Sequence, residues 1–238
     1  MTELLARTRR LAQHVDDVLR REDWVTASVD RRSIARLVVL VFLFAGIYGA
    51  AMGSYECRSA ERLVHVAFVA TKAPLLLLAT FAISLPSFYV INSLFGLQRD
   101  FPIVLRAILA TQAGVAIILA SLAPVTLFWY ASTTDYGSAV LFNAFVFGAA
   151  SLLGQRLMRS FYRRLIERDA RHATMLWIWI AVYALVGVQM GWIMRPFIGS
   201  VDEPVQFFRS GEWTNAYVVI MRLFGRAAGI RSHYLIRS

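Results

Sequence analysis

The chain has 238 residues, 58% of them hydrophobic, a mean hydropathy of +0.56 and a formal net charge of +10 from 25 basic and 15 acidic side chains. The charges stand between long apolar runs, which excludes a soluble globular domain, and the scattered basic residues form no single groove or binding module, so no nucleic-acid partner is expected. The one cysteine, Cys57, excludes an internal disulfide and a multi-cysteine metal site, leaving a covalent dimer open.

Residues 1–33 are polar, without the short basic start and early apolar core of a secretory signal. Leu4, Thr8, Leu11, Val15 and Val18 recur at spacings of four and three, with Arg7, Arg10, Gln13, His14 and Asp17 around them. This pattern predicts an amphipathic helix that lies on the membrane surface or packs on the protein's own cytoplasmic loops.

Five runs then follow with no charged side chain: 37–55, 73–98, 107–134, 136–155 and 173–194. Each is close to or longer than the roughly 20 apolar residues that carry a helix across a bilayer core. Backbone amides in lipid must bond within their own segment, so each run predicts a transmembrane helix. The expected fold class is an all-α polytopic membrane bundle. It divides into an N-terminal region (1–33), a five-helix membrane domain (34–197) and an outer loop with a terminal amphipathic helix and basic tail (198–238).

The first run carries Ala45, Gly49 and Gly53 at helical spacing, the fourth Ala144, Gly148, Ala150, Ser151 and Gly154, and the fifth Gly187 and Gly191. Small stripes let helices approach closely, within one chain or between subunits. Residues 63–71 either lengthen the second span or lie in the interface. Pro86 and Pro124 should kink the second and third spans, with Ser84, Ser87 and Ser121 placed to bond the carbonyls set free. Beyond the fifth run, Trp213, Ala216, Tyr217, Ile220, Met221 and Phe224 form one stripe of a helix too short to span.

With the N-terminus inside, 16 basic residues fall in inner segments against nine outside, which favours an N-in, C-out topology. Trp24, Trp129, Trp177, Trp179 and Trp192 stand at the run ends as interfacial anchors.

The intramembrane polar residues are Asn92, Gln112, Asn143, Gln155 and Gln189, with Thr80, Thr111 and Thr126. Asn92, Gln112, Asn143 and Gln189 are candidates to line a solute path; the alternative is that each bonds a neighbouring helix. No run contains a carboxylate or histidine, which argues against proton- or cation-coupled transport. The four histidines lie far apart and no nucleophile or phosphate-loop motif is present, so neither a catalytic residue nor a metal or other cofactor is expected.

The stretch Gln189-Met190-Gly191-Trp192-Ile193-Met194-Arg195-Pro196-Phe197-Ile198-Gly199-Ser200 is a helix exit. Trp192 anchors the interface, Arg195 can stack on it or hold a lipid phosphate, and Pro196 stops the helix. Trp192, Arg195 and Phe197 are the candidate lipid or partner contacts. This stretch, with Phe207-Phe208-Arg209 and the earlier Lys72-Ala73-Pro74-Leu75-Leu76-Leu77 and Leu85-Pro86-Ser87-Phe88-Tyr89-Val90, resembles a family of bacterial multi-pass membrane proteins over about residues 70–220. In layout the group is similar to Yip1-domain proteins, which implies five spans, a cytoplasmic N-terminus and an outer C-terminus but no mechanism. The function expected is a non-enzymatic scaffold or subunit of a membrane assembly that contacts lipid and associates with itself or other membrane proteins. The alternative is a homo-oligomeric channel or passive permease.

Overall fold

The computed structural model describes residues 2–20, 31–57, 59–133, 135–195, 197–199 and 205–208. Their regular structure is entirely helical: α1 (Thr2–Arg20), α2 (Arg31–Gly53), α3 (Ala60–Leu94), α4 (Phe101–Ser132), α5 (Tyr136–Arg168) and α6 (Arg171–Ile193). Helices α2 to α6 are long and apolar enough to cross a membrane. Trp24, the stripe at 212–224 and the basic tail lie outside the described residues. The end of the bundle where α2 begins is termed proximal, the other end distal.

Helix α4 is the centre. It packs against α2 and α5, while α6 packs along α3 and meets α5 more sparingly. Glycines set the closest approaches. A Cβ on Gly49 would lie 2.5 Å from the Val69 carbonyl and one on Gly53 3.0 Å from Val69, so this pair brings α2 onto α3. Between α4 and α5 the fit is reciprocal: Leu157 fills the space over Gly114, and Val115 fills the space over Gly154. Without side chains in these positions, backbones approach far enough for dispersion contacts to hold helices that lipid does not drive together.

Helix α3 starts at Ala60, so residues 63–71 do lengthen the second span. Its 35 residues make about 52 Å of helix, more than a bilayer core of about 30 Å needs. Two cations assigned to loops by their charge belong to helix interiors: Lys72, 0% exposed within α3, and Arg106, 1% exposed within α4. A charge ends an apolar run in the sequence without ending the helix, because neighbouring helices cover it.

Ser84 and Ser121 do not make the bonds expected of them at the prolines. Helix α3 runs unbroken through Pro74 and Pro86, and α4 through Pro124. The Ser84 hydroxyl donates to Thr80 O, and that of Ser121 to Ile118 O. These are local bonds to carbonyls other than those the prolines free, at Ala82 and Ala120. Trp179 is also not an interfacial anchor. It is 3% exposed and packs edge-on against Phe88 at 4.7 Å and Phe81 at 6.4 Å, fixing α6 to α3. Trp177 on the outer face keeps the expected exposure, with the Arg159 guanidinium 4.9 Å from its ring.

Helix α1 docks on the spans themselves instead of on loops. Leu11 and Val15 pack against the main core, and Val18 is a fully buried member of it, 4.0 Å from the Cβ position of Gly114. Leu11, Val15 and Val18 of the stripe read from the sequence therefore form the buried face, while Thr8 is exposed.

At the proximal end, two turns are latched together. Asn92 Nδ2 donates to Leu97 O at 3.0 Å, closing the α3–α4 turn around Gly96, whose φ of +73° favours glycine. Arg171 Nη1 donates to Phe95 O at 2.8 Å, and His172 Nε2 donates to Asp100 Oδ2 at 3.1 Å. Arg171 also forks onto Asp169, and these hydrogen bonds hold the Asp169 carboxyl down at about 2.

Candidate functional site in the membrane domain

Because α5 is held to α4 and α6 to α3, the two helices part at mid-height. A cavity of about 440 Å³ lies between them, walled also by α3 and α4. Ser151 on α5 and Ala184 and Val188 on α6 line it and are exposed, so it opens sideways between these helices. Apolar groups form most of the wall, including Leu77, Ile108 and Met158, with a few polar atoms set among them.

Five polar side chains define the chemistry. The Tyr183 hydroxyl donates to Gln112 Oε1 at 2.9 Å, joining α6 to α4 across the cavity wall. Thr111 Oγ1 bonds back to Ala107 O at 2.9 Å and lies 3.2 Å from Met158 Sδ. Thr80 Oγ1 and Gln155 Oε1 are buried and have no hydrogen-bond partner among the described residues. An unsatisfied buried polar atom costs about 1–3 kcal/mol, so these two make the wall receptive to a polar atom of something entering it. Such a site can hold an apolar group and orient it by one or two hydrogen bonds.

A second cavity, of about 410 Å³, lies at the distal end beneath the α6 exit. Asn143 organises its wall. Its Oδ1 accepts from the Tyr48 hydroxyl at 2.9 Å, while its Nδ2 donates to Tyr130 Oη at 2.6 Å and to Ala139 O at 2.8 Å. The Tyr130 hydroxyl passes on to Met52 O at 3.3 Å. One amide thus ties α2, α4 and α5 together with its donors satisfied.

The exit motif folds back over this end. His65 Nε2 donates to Phe197 O and the Tyr136 hydroxyl to Ile198 O, both at 3.3 Å. Gly199 closes against α3: a Cβ there would sit 2.6 Å from Arg62 Nη1 and 3.0 Å from His65 Nε2. The Arg195 guanidinium lies 3.5 Å from the Trp192 ring centroid, so the two stack. Phe207 packs on Phe68 at 5.2 Å and stands 5.0 Å from Lys72 Nζ. Arg195 and Phe197 both line the distal cavity; Trp192 joins them through Arg195.

The four amides proposed as one lining do not converge. Asn92 closes the proximal turn, Gln112 lines the mid-height cavity and Asn143 the distal one, while half-buried Gln189 lines neither. Tyr183, Tyr48, Tyr130 and His65 were missed by sequence reasoning. For Tyr183 a signal was present: Trp179, Tyr183 and Gly187 share one helix face at spacings of four, and all three line the mid-height cavity. No family model, no characterised protein and no solved structure is significantly similar to the chain.

Proposed function

We propose that this chain is a non-enzymatic scaffold or subunit of a membrane assembly, using its lateral cavity and exit motif to contact lipid and neighbouring membrane proteins. The observation that carries the reading is the burial of Asn92, Gln112 and Asn143 inside one chain, at 0%, 5% and 4% exposure. Each is bonded to its own helices or turns. Amides used this way are unavailable to line the axis of a symmetric pore, and they lie at three different sites without a shared path. What the surface offers instead is apolar: open space stands over Gly148 and Gly191, and Leu141, Phe145 and Leu152 are more than two-thirds exposed along α5. In lipid, the small-residue face at Gly148 supports close helix association, while the large apolar side chains beside it suit contact with acyl chains.

The bacterial inner membrane, with the N-terminus inside, belongs to the same proposal. Moving Lys72 and Arg106 from loops into helices removes one basic residue from each side of the tally and leaves the inward bias intact. The bacterial family and the layout noted above fit this placement.

Ion flux into liposomes reconstituted with the purified chain tests the reading against a channel. The proposal expects flux equal to that of protein-free vesicles. Flux that falls when Gln112 or Asn143 is replaced by leucine would overturn it.

A further inference from the structure

Arg7, Arg10 and His14 of α1 face Arg32 and Arg36 of α2 across a cavity of about 480 Å³. The rest of its described lining is apolar: Leu11, Ala35, Val39 and Leu40. Four guanidiniums from two helices converging on one space is more than the positive bias of a loop requires. Guanidiniums gathered on one space attract an anion placed among them. Guanidinium groups suit phosphate in particular, with planar paired donors matched to its oxygens.

The position of the cavity selects the source of the anion. Arg32 and Arg36 stand in the first turns of α2, immediately before the charge-free run that begins at Leu37. Val39, 59% exposed, continues the same wall into that run. A basic rim above an apolar wall matches the order of a phospholipid, phosphate first and acyl chain below. The docking of α1 builds this rim, because its buried Val18 holds the helix against the bundle and thereby places Arg7 and Arg10 opposite α2.

We propose that the α1–α2 groove binds an anionic glycerophospholipid, with its phosphate among Arg7, Arg10, Arg32 and Arg36 and an acyl chain along Val39 and Leu40. The site deepens the lipid-contact part of the function proposed above and is separate from the scaffold role: a chain that associates with nothing can still hold this lipid.

The test is native mass spectrometry of the full chain in mild detergent, titrated with phosphatidylglycerol or phosphatidylcholine. Phosphatidylglycerol should bind at least tenfold more tightly, and each Arg→Gln change in the groove should weaken it about fivefold, following the usual gain per basic residue at a membrane surface. The R99Q/R156Q double variant, outside the groove, should bind as the parent does. Glycerol 3-phosphate at millimolar excess should not displace the lipid. Equal retention of the two lipids by the unaltered chain overturns the proposal without any variant. So does unchanged phosphatidylglycerol binding by a folded R10Q/R36Q chain, and so does full displacement by glycerol 3-phosphate, which would mark a site for a soluble phosphate ester. Particle mass and ion flux report separately on the scaffold role.

Discussion

The hydroxyl of Tyr183 donates to Oε1 of Gln112 at 2.9 Å, linking α6 to α4 between residues 71 positions apart in the chain. It bridges two helices whose main packing partners are others, α3 for α6 and α2 and α5 for α4. A double-mutant cycle of Tyr183→Phe and Gln112→Leu should give a coupling of about 0.6 kcal/mol and at most about 1.7, the range for hydrogen bonds between membrane helices. Unfolding in mixed micelles is the measurement. Additive effects of the two changes would show the bond to contribute nothing.

Glycine positions supply a matched pair. Gly49→Ala places a Cβ 2.5 Å from the Val69 carbonyl and 2.9 Å from Ala73 Cβ, so two backbones must separate. Overpacking of this kind costs about 1–3 kcal/mol, and the melting temperature in detergent should fall. Gly148→Ala meets open space and should leave it unchanged or slightly higher.

Asn143 holds three bonds at the distal end, to Tyr48, Tyr130 and Ala139. Asn143→Leu should destabilise the chain by about 1–3 kcal/mol, because two tyrosine hydroxyls lose a partner together. Limited proteolysis at the distal loops should accelerate, while the proximal turns stay protected.

The proximal latch carries a pH dependence of definite sign. The Asp169 carboxyl sits at about 2 in the folded chain, below its ordinary value of 3.8, because Arg171 hydrogen-bonds to it. Its contribution is fully present above pH 4 and is lost as the pH falls from about 4 through 2. Thermal melts of the parent chain should therefore decline faster over that interval than those of Asp169→Asn, which lacks the titrating group.

Much of the fold was legible because lipid imposes simple rules. Five charge-free runs became five helices, and the Gly49–Gly53 and Gly154 stripes became close contacts. The site was less legible. Reading charges as helix boundaries misplaced Lys72 and Arg106, since burial by neighbouring helices is a property of the assembled bundle. Grouping Asn92, Gln112, Asn143 and Gln189 by residue type missed their separation, because position along a helix does not reveal which neighbour it faces. Trp179 illustrates the same limit: its place near a run end suggested an interface, while its side chain points to Phe88. The Trp192–Arg195 stack is one of the two arrangements that their spacing allowed, but the return of the exit motif over His65 and Tyr136 depends on helices distant in sequence.

The central claim is that this chain works by association. Its most direct test is extraction from native membranes in a lipid-preserving mild detergent, followed by particle mass measurement and identification of every protein present. The account predicts a discrete particle heavier than one chain and containing another membrane protein in fixed ratio. A strict monomer, or a homo-oligomer alone that conducts ions, would contradict it.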